Sequence, residues 1–403
     1  MADLFWPGDE RAGDVMSQRA FFDALVAVEN AWLAVLVDAG VAPVAARAEL
    51  GELVSADDLA PIAAGAERDG NPVTGLVALL RDRAAADRPD TARWLHRGLT
   101  SQDVIDTALM LCLRDGLRRV GEALSAQADV LVGLVETHRD AAMLTHTLTQ
   151  PALPGTAGLK FAGWLSAILD TGEILAAVPA LPVQAGGAAG TMAAATELTG
   201  SADGALALSD GLARALGLAP APPWHTARSV ITRAGDALVS CCDAWGHIAA
   251  DIAVGSRFEV GEFAEGSGGG SSTMPHKRNP VGVVLLRRAA LAAPALGATL
   301  HCAAGASVDE RADGAWHAEW STLATLARRS VVAAAQATDL LSGLTFDTDR
   351  AAANLAAAEG LLAEQRTMSQ LTGRPPAPAY LGATDRLVDA VLQRARELAK
   401  ERQ

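Results

Sequence analysis

Five long stretches rich in alanine, leucine and valine most constrain what this chain can fold into. They lie near 102–138, 156–178, 226–257, 278–305 and 316–343, and each is long enough for a helix of many turns. Their apolar residues are spread around much of the helical circumference, so each helix is expected to be buried on most of its faces. The sequence therefore predicts a bundle of long helices whose outer surface is covered by other subunits.

The composition also favours helices over sheets. Of the 403 residues, 50% are hydrophobic but only 4% are aromatic, whereas sheet faces usually recruit aromatic and β-branched side chains. Apolar residues recur at helical spacing from Ser17 to Gly40, which predicts a first helix. We predict an all-α protein with an N-terminal helical domain at 1–98, a long central bundle at 99–344 and a small helical C-terminal region at 345–403.

The net charge of −14 argues against nucleic acid or an anionic membrane surface as a partner, because a polyanion would be repelled. An anionic substrate must therefore be bound by a local basic pocket. The N-terminus has no basic segment followed by an apolar run, so no secretory signal is predicted. Arg287 and Arg288, or Pro and Gly, interrupt the apolar stretches, so no membrane span is predicted. We expect a cytoplasmic protein.

The cysteines do not have the spacing of a metal site. There is no CxxC or Cys/His pattern, and a disulfide between the adjacent pair would be strained. A chain of this length can bury a core large enough to be stable without disulfides or metals. We therefore expect no metal, no cofactor and four reduced core thiols. These are Cys112, Cys241, Cys242 and Cys302.

The most informative segment runs from Glu265 to Pro280 and reads EGSGGGSSTMPHKRNP. Its glycines predict a mobile lead that can close over a ligand. Lys277 and Asn279 supply a positive charge and hydrogen-bond donors for a carboxylate or a developing enolate. Either serine of the pair would need such donors to act as a base, because its ordinary pKa is far too high at neutral pH. The alternative for this glycine run alone is a flexible linker before a basic helix start.

A second segment, HRGLTSQDVIDT, begins at His96 and contains a helix start. Thr100 and Ser101 precede the helix that Gln102 and Asp103 begin. A helix N-terminus with free N–H groups and small hydroxyls is suited to binding an anion. The alternative is an ordinary N-cap without a ligand.

Together these segments resemble the fumarase/aspartase superfamily of lyases. GSSTMPHKRNP at 270–280 and TSQDVIDTA at 100–108 match its signature regions, and GNPV at 70–73 and GAWHAEW at 314–320 resemble the 3-carboxy-cis,cis-muconate cycloisomerase branch. The resemblance covers most of the chain. It implies a homotetramer with one shared helical core, in which each active site takes segments from three subunits and needs no metal.

The resemblance also implies roles for individual residues. Ser271, the first serine of the pair, is the implied catalytic acid/base. His96 stands where the adenylosuccinate lyase branch has a histidine and is a second catalytic candidate, with a purely structural histidine as the alternative. The implied substrate-binding residues are Asn71, Thr100, Ser101, Gln102, Gln150, Met274, Lys277 and Asn279.

A third segment, THTLTQPALP at 145–154, departs from the lyase pattern. Aligned on Gln150, the histidine of the amine-releasing lyases falls on Leu148 and their arginine on His146. Leucine cannot donate a proton, and a leaving amine needs protonation whereas a leaving carboxylate does not. His146 takes the acid role only if the register shifts by two residues; otherwise it is a loop or core histidine.

We therefore expect an enzyme that interconverts 3-carboxy-cis,cis-muconate and a carboxymuconolactone, acting on a small anionic di- or tricarboxylate. The first alternative is a superfamily lyase that releases fumarate from a substituted succinate, such as adenylosuccinate or nitrosuccinate. The second is a non-enzymatic binding protein on the same scaffold, which the presence of Ser271, Lys277 and Asn279 disfavours.

Overall fold

The structure, a computed structural model, describes residues 3–266, 268–270, 273–274 and 277–401. Helices dominate the described chain, as expected of an all-α protein. The helices are α1 Gln18–Asp38, α2 Leu59–Asp69, α3 Pro72–Ala85, α4 Pro89–Trp94, α5 Ser101–Thr137, α6 Ala157–Ala176, α7 Ala193–Thr199, α8 Ala202–Leu216, α9 Ser229–Gly255, α10 Val281–Gly305, α11 Gly314–Ser342, α12 Thr348–Ala357, α13 Ala363–Thr372 and α14 Thr384–Glu401.

Short strands form three antiparallel pairs in the described part of the chain, β1 with β2, β3 with β6 and β4 with β5. The sequence did not predict them. The strands are β1 Ala142–Thr147, β2 Gln150–Thr156, β3 Phe263–Ala264, β4 Gly269–Gly270, β5 Arg278–Asn279 and β6 Thr345–Phe346.

Each of the five long apolar stretches forms one helix of a central bundle. Helix α5 contacts α6 and α11, α6 contacts α9, and α10 packs between α9 and α11. Helix α5 has 37 residues, so at ~1.5 Å per residue it is about 55 Å long. The bundle therefore has two distant ends. We call them the Thr100 end, where α5 begins, and the hairpin end, where α5 gives way to β1 and β2.

The bundle core is built from small aliphatic side chains with a few large anchors. Trp164 and Trp245 are fully buried. The Trp245 indole N–H donates to Gln127 Oε1 at 2.8 Å, and Gln127 Nε2 donates to the Ala334 carbonyl at 3.0 Å. Because buried polar groups are costly unless hydrogen-bonded, this chain of bonds lets polar atoms join α9, α5 and α11 inside the core.

Local capping explains where the N-terminal helices begin and end. The Ser17 hydroxyl accepts a hydrogen bond from the Ala20 N–H at 3.0 Å, so α1 starts immediately after Ser17 as predicted. It ends at Asp38, just before Gly40, whose φ of 70° suits glycine. Ser55 and Asp58 form a reciprocal capping box ahead of α2.

The expectation that no segment could span a membrane is wrong on length and composition. Three helices, α1, α9 and α10, are long and apolar enough to cross one. Arg287 and Arg288 do not prevent this in α10, because two charges still leave a mean hydropathy of 1.5 over its apolar stretch. About half of the apolar stretch is buried within the protein in α1 and α9, but only 28% in α10. Helix α10 therefore presents an apolar face outside the single chain.

The same outward face corrects one expectation about the cysteines. Cys112, Cys241 and Cys242 are buried, but Cys302 on α10 is exposed and is not a core thiol. Burial raises the pKa of Cys112 and of Cys242 to about 12. The three core thiols are therefore protonated and unreactive at neutral pH.

The C-terminal region returns to the flank of the bundle. Helix α14 packs against α6 and α5, and Arg394 on α14 forms ion pairs with Asp170 at 2.6 Å and Glu173 at 2.9 Å. These pairs are partly exposed, so each contributes little stability. The burial of Val388 and Leu392 against the bundle does more to hold the helix.

Candidate active site

Thr100 is the N-cap of α5 and is arranged to donate a hydrogen bond. Its backbone N–H donates to Asp103 Oδ2 at 2.9 Å, and its hydroxyl accepts a hydrogen bond from Arg311 Nη1 at 2.9 Å. A hydroxyl that accepts a bond from arginine keeps its own proton. That proton is left to donate, as binding a carboxylate requires. Ser101 follows as the first residue of α5.

Arg311 adds a positive charge to this helix start. Its guanidinium lies over the Trp316 ring, 5.6 Å from the centroid, and it forms no ion pair within the described part of the chain. One Nη group bonds Thr100, which leaves other N–H groups to bind an anion. The partial positive charge of the α5 N-terminus also attracts an anion. Arg311 was not predicted from the sequence, although it lies three residues before the GAWHAEW motif.

Asp103 fixes the position of this helix start. Its fully buried carboxylate accepts four N–H donors at 2.8 to 2.9 Å, from the Thr100, Gly186 and Gly187 backbones and from His225 Nε2. A Cβ at Gly186 would lie 2.7 Å from the His225 ring, so this close approach requires glycine. Asp103 thus joins the α5 start to the glycine-rich 186–187 connection instead of facing a ligand.

A buried charge network lies one turn further along α5. The Arg228 guanidinium donates to Asp106 at 2.8 and 3.0 Å and to Glu319 at 2.6 to 3.2 Å, and all three side chains are fully buried. Burial lowers the pKa of Arg228, but its two carboxylate partners more than offset this and hold the pKa above its ordinary value. Burial raises the pKa of Glu319, against the effect of Arg228. Trp316 completes the network, since its indole N–H donates to Asp106 at 3.0 Å.

Gln102 extends this network. The side chain is fully buried, and its Nε2 donates to Asp106 at 3.2 Å and to the His225 carbonyl at 2.9 Å. The Oε1 atom is also buried and has no partner among the described residues. The amide nitrogen of Gln102 is therefore used inside the protein, and the contact of this residue with substrate stays a prediction.

His96 and Asn71 lie at the same end of the bundle. His96 precedes the helix start by four residues and has its Nδ1 2.6 Å from Glu29 Oε1. Asn71 is the N-cap of α3, and its Oδ1 accepts from two backbone N–H groups. His317 on α11 contacts the neighbouring carbonyl of Gly70 at 2.8 Å, which ties this loop to the bundle. The Asn71 carbonyl oxygen is thus used in capping, which limits its capacity to bind substrate.

The 145–154 segment forms a β-hairpin at the opposite end. Leu148 and Thr149 make the turn with φ of 48° and 70°, and Leu148 is 96% exposed. Gln150 is exposed beside them. His146 pairs with Pro151 in the ladder and is exposed, so the structure gives no sign of the two-residue register shift that an acid role would require.

The signature loop also starts from the hairpin end, because β3 pairs with β6 directly after α11. Ser271 lies outside the described residues. Lys277 is exposed, and its N–H donates to the Met274 carbonyl at 3.0 Å. Asn279 pairs with Gly269 in the β4–β5 ladder, and Glu265 accepts N–H donors from the first turn of α10.

The glycines at the base of this loop are packed tightly. A Cβ at Gly266 would lie 2.8 Å from the Gly343 carbonyl, and one at Gly269 would lie 2.4 Å from the Val281 side chain. The mobile lead expected from the sequence therefore does not explain these two positions. They are glycines because no side chain fits.

One chain does not bring all the candidate residues together. Thr100, Ser101 and Arg311 lie at the Thr100 end, whereas Gln150 and Lys277 lie at or near the hairpin end, about 55 Å away along α5. A seven-residue strand such as β2 spans only about 23 Å. The hairpin therefore cannot reach the start of α5 in its own chain.

Comparison with known proteins agrees with this architecture. A family profile described as lyase matches residues 13–294. The nitrosuccinate lyase of Streptomyces davaonensis is 41% identical over 376 residues, which cover 88% of this chain and 79% of the relative. The 3-carboxy-cis,cis-muconate cycloisomerase of Pseudomonas aeruginosa is 38% identical over 390 residues, 94% of this chain and 81% of the relative. The crystal structure of 3-carboxy-cis,cis-muconate lactonizing enzyme from Pseudomonas putida matches with a TM-score of 0.82 and 31% identity, over 97% of this chain and 86% of that one. The chain is an enzyme of the fumarase/aspartase superfamily of lyases.

Proposed function

We propose that this enzyme converts 3-carboxy-cis,cis-muconate to a carboxymuconolactone. One substrate carboxylate adds across the activated double bond, and the carbanion that forms is delocalised into the neighbouring carboxylate before it takes a proton at carbon. The observation that carries the proposal is the donor set at the α5 start. Thr100 is left with a free hydroxyl proton and Arg311 with free N–H groups, which suits a carboxylate that gains negative charge.

The remaining roles come from the signature loop and the hairpin. Ser271 delivers the proton to carbon, and Lys277 and Asn279 stabilise the developing charge. Met274 and Gln150 contact the substrate. These roles rest on the GSSTMPHKRNP and THTLTQPALP segments and on the relatives that share this superfamily.

Leu148 favours a leaving group that departs as an anion. Its side chain stands where amine-releasing lyases place a proton-donating histidine, and leucine has no proton to give. In the reverse of the proposed reaction the group that leaves carbon is a carboxylate, which needs no proton. The exposure of Leu148 at the hairpin tip leaves it free to contact another subunit.

The distance between the two ends of the bundle supports a homotetramer with shared sites. The hairpin and loop of one subunit would meet the α5 start of another. The apolar outward face of α10, where Leu291 is 82% exposed, offers the surface that such subunits would bury. We place this assembly in the cytoplasm, acting in the breakdown of aromatic acids.

A second candidate reaction is the release of nitrite from nitrosuccinate to give fumarate. The 41% identity to the nitrosuccinate lyase of Streptomyces davaonensis favours it. Leu148 is compatible with it, because nitrite also leaves as an anion without protonation. The same donor set would bind a succinate carboxylate.

Both reactions can be followed with one set of proteins by ultraviolet absorbance. Purified wild type, Ser271→Ala and a control, Ser307→Ala, are given 3-carboxy-cis,cis-muconate or nitrosuccinate. The proposal expects diene absorbance to fall with wild type and Ser307→Ala but not with Ser271→Ala. Fumarate formation without diene loss would replace the proposed reaction by the second candidate. No turnover of either substrate by the folded protein would contradict both.

A further inference from the structure

His96 is held in an uncommon backbone conformation by its surroundings. Its φ is 61°, in the left-handed region that few non-glycine residues adopt. The carbonyls on either side are fixed, because Arg81 Nη2 donates to Leu95 O at 2.8 Å and the Trp32 indole N–H donates to Arg97 O at 2.7 Å. Such strain persists only where neighbouring contacts impose it, and it is concentrated at functional sites.

Glu29 contacts His96 from inside the protein. The carboxylate lies on α1 and is fully buried, and its Oε1 is 2.6 Å from His96 Nδ1. The second oxygen, Oε2, has no hydrogen-bond partner among the described residues. Arg81 lies close enough to interact electrostatically with Glu29, but its hydrogen bond goes to a backbone carbonyl. His96 is therefore the one hydrogen-bond partner of this carboxylate in the described part of the chain.

Burying a carboxylate at this position costs free energy. Its neighbours on α1 include the fully buried Leu25, Trp32 and Leu33, so an apolar residue would fit the surroundings at a lower free-energy cost. Packing alone does not explain why a glutamate occupies position 29. The short contact to His96 explains it, because a carboxylate that accepts Nδ1–H fixes both the ring orientation and the tautomer.

We infer that Glu29 is a positioning residue that acts through His96. With Nδ1–H donated to Glu29, the neutral ring presents Nε2 as its lone-pair nitrogen, and this atom has no partner among the described residues. Nε2 is then the atom of His96 that can accept a hydrogen bond or a proton at the Thr100 end. The inference rests on the proposed function, since it requires catalysis at the Thr100 end, and it deepens that function by adding His96 and Glu29 to the site.

A double-mutant cycle tests the inference on whichever substrate the wild type turns over. Glu29→Gln keeps the shape of the side chain but removes its charge and lets an amide N–H face the ring. We expect kcat to fall at least ~10-fold, with little change in KM and with no further loss when Glu29→Gln is added to His96→Asn. A matched control is Glu262→Gln, a buried glutamate that bonds Asn354, which should leave kcat unchanged.

Equal losses from Glu29→Gln in the wild-type and His96→Asn backgrounds would overturn the inference, because Glu29 would then act independently of His96. An unchanged kcat would overturn it as well.

A second readout does not depend on the substrate. Diethyl pyrocarbonate acylates the lone-pair nitrogen of neutral imidazole, and peptide mass spectrometry in mildly alkaline buffer gives the rate at His96. We expect this rate to fall several-fold in Glu29→Gln but not in Glu262→Gln. Equal rates in wild type and Glu29→Gln would refute the positioning role. If the wild type turns over neither substrate, the proposed function fails while the labelling still decides the role of Glu29.

Discussion

Replacing Asp103 by asparagine should weaken both the fold and the site, because this carboxylate accepts four N–H donors. Asparagine keeps one oxygen and turns an NH2 group toward two of those donors. If the NH2 faces His225, that ring can adapt by changing tautomer, since its Nδ1 has no partner among the described residues. The backbone N–H of Gly186 cannot adapt and is left buried without an acceptor. One charged hydrogen bond lost and one N–H orphaned together cost about 2–4 kcal/mol.

Urea unfolding of Asp103→Asn measures this loss of free energy of unfolding. The control is Asp236→Asn, which breaks an exposed carboxylate–histidine pair between Asp236 and His301 at 2.8 Å, and it should cost no more than ~1 kcal/mol. KM should also rise in Asp103→Asn, because the α5 start that carries Thr100 is then tied less firmly to the 186–187 connection. Equal losses of stability in the two variants would show that the four N–H donors do not depend on the Asp103 carboxylate.

Variants at Arg311, Asp58 and Arg228 test the site and the buried ion pairs separately. Arg311→Gln should raise KM ~10- to 100-fold without changing the melting temperature, since one charged hydrogen bond is worth ~1.5–3 kcal/mol; a rise of less than about two-fold in steady-state kinetics would contradict this. Bonds from Arg83 and from the Ser55 backbone lower the pKa of Asp58 to about 2, so its carboxylate stabilises the fold above its unfolded pKa of ~3.9 and loses that effect as the pH falls to about 2. In thermal scans the melting temperature of Asp58→Asn should be lower than that of wild type at neutral pH and equal to it near a pH of about 2. The same difference in melting temperature at every pH would argue against the ion pair. Arg228→Met leaves two buried carboxylates unpaired and should cost ~3–5 kcal/mol in urea unfolding; a loss under ~1 kcal/mol would show that the network is not buried as described.

The helices could be predicted because their signals are local. Apolar content along the chain located all five bundle helices, and Ser17 and Ser55 mark helix starts through bonds to residues three positions away. The β1–β2 hairpin was missed, since Pro151 and Pro154 lie inside β2 and proline is unusual in a strand. Cys302 was misplaced because the sequence does not show which side of α10 faces the rest of the chain.

Only the part of the site that is formed by residues close in sequence could be predicted. Thr100 and Ser101 form a helix start, as the TSQD pattern indicated. The partners that define their chemistry are distant in sequence: Arg311 lies 211 residues from Thr100, and Glu29 lies 67 residues from His96. No spacing rule joins such pairs, because they meet only when α1, α5 and α11 pack together.

Complementation between two inactive variants tests whether one subunit can complete an active site. One inactive protein combines Thr100→Val with Arg311→Gln at the α5 start, and the other carries Lys277→Gln in the signature loop. The two are denatured, mixed and refolded together, and mixed oligomers are verified by a size tag on one partner. We expect the mixture to regain activity that neither variant has alone, because some sites then pair an intact α5 start with an intact loop. Mixed oligomers with no more activity than the two variants alone would contradict it.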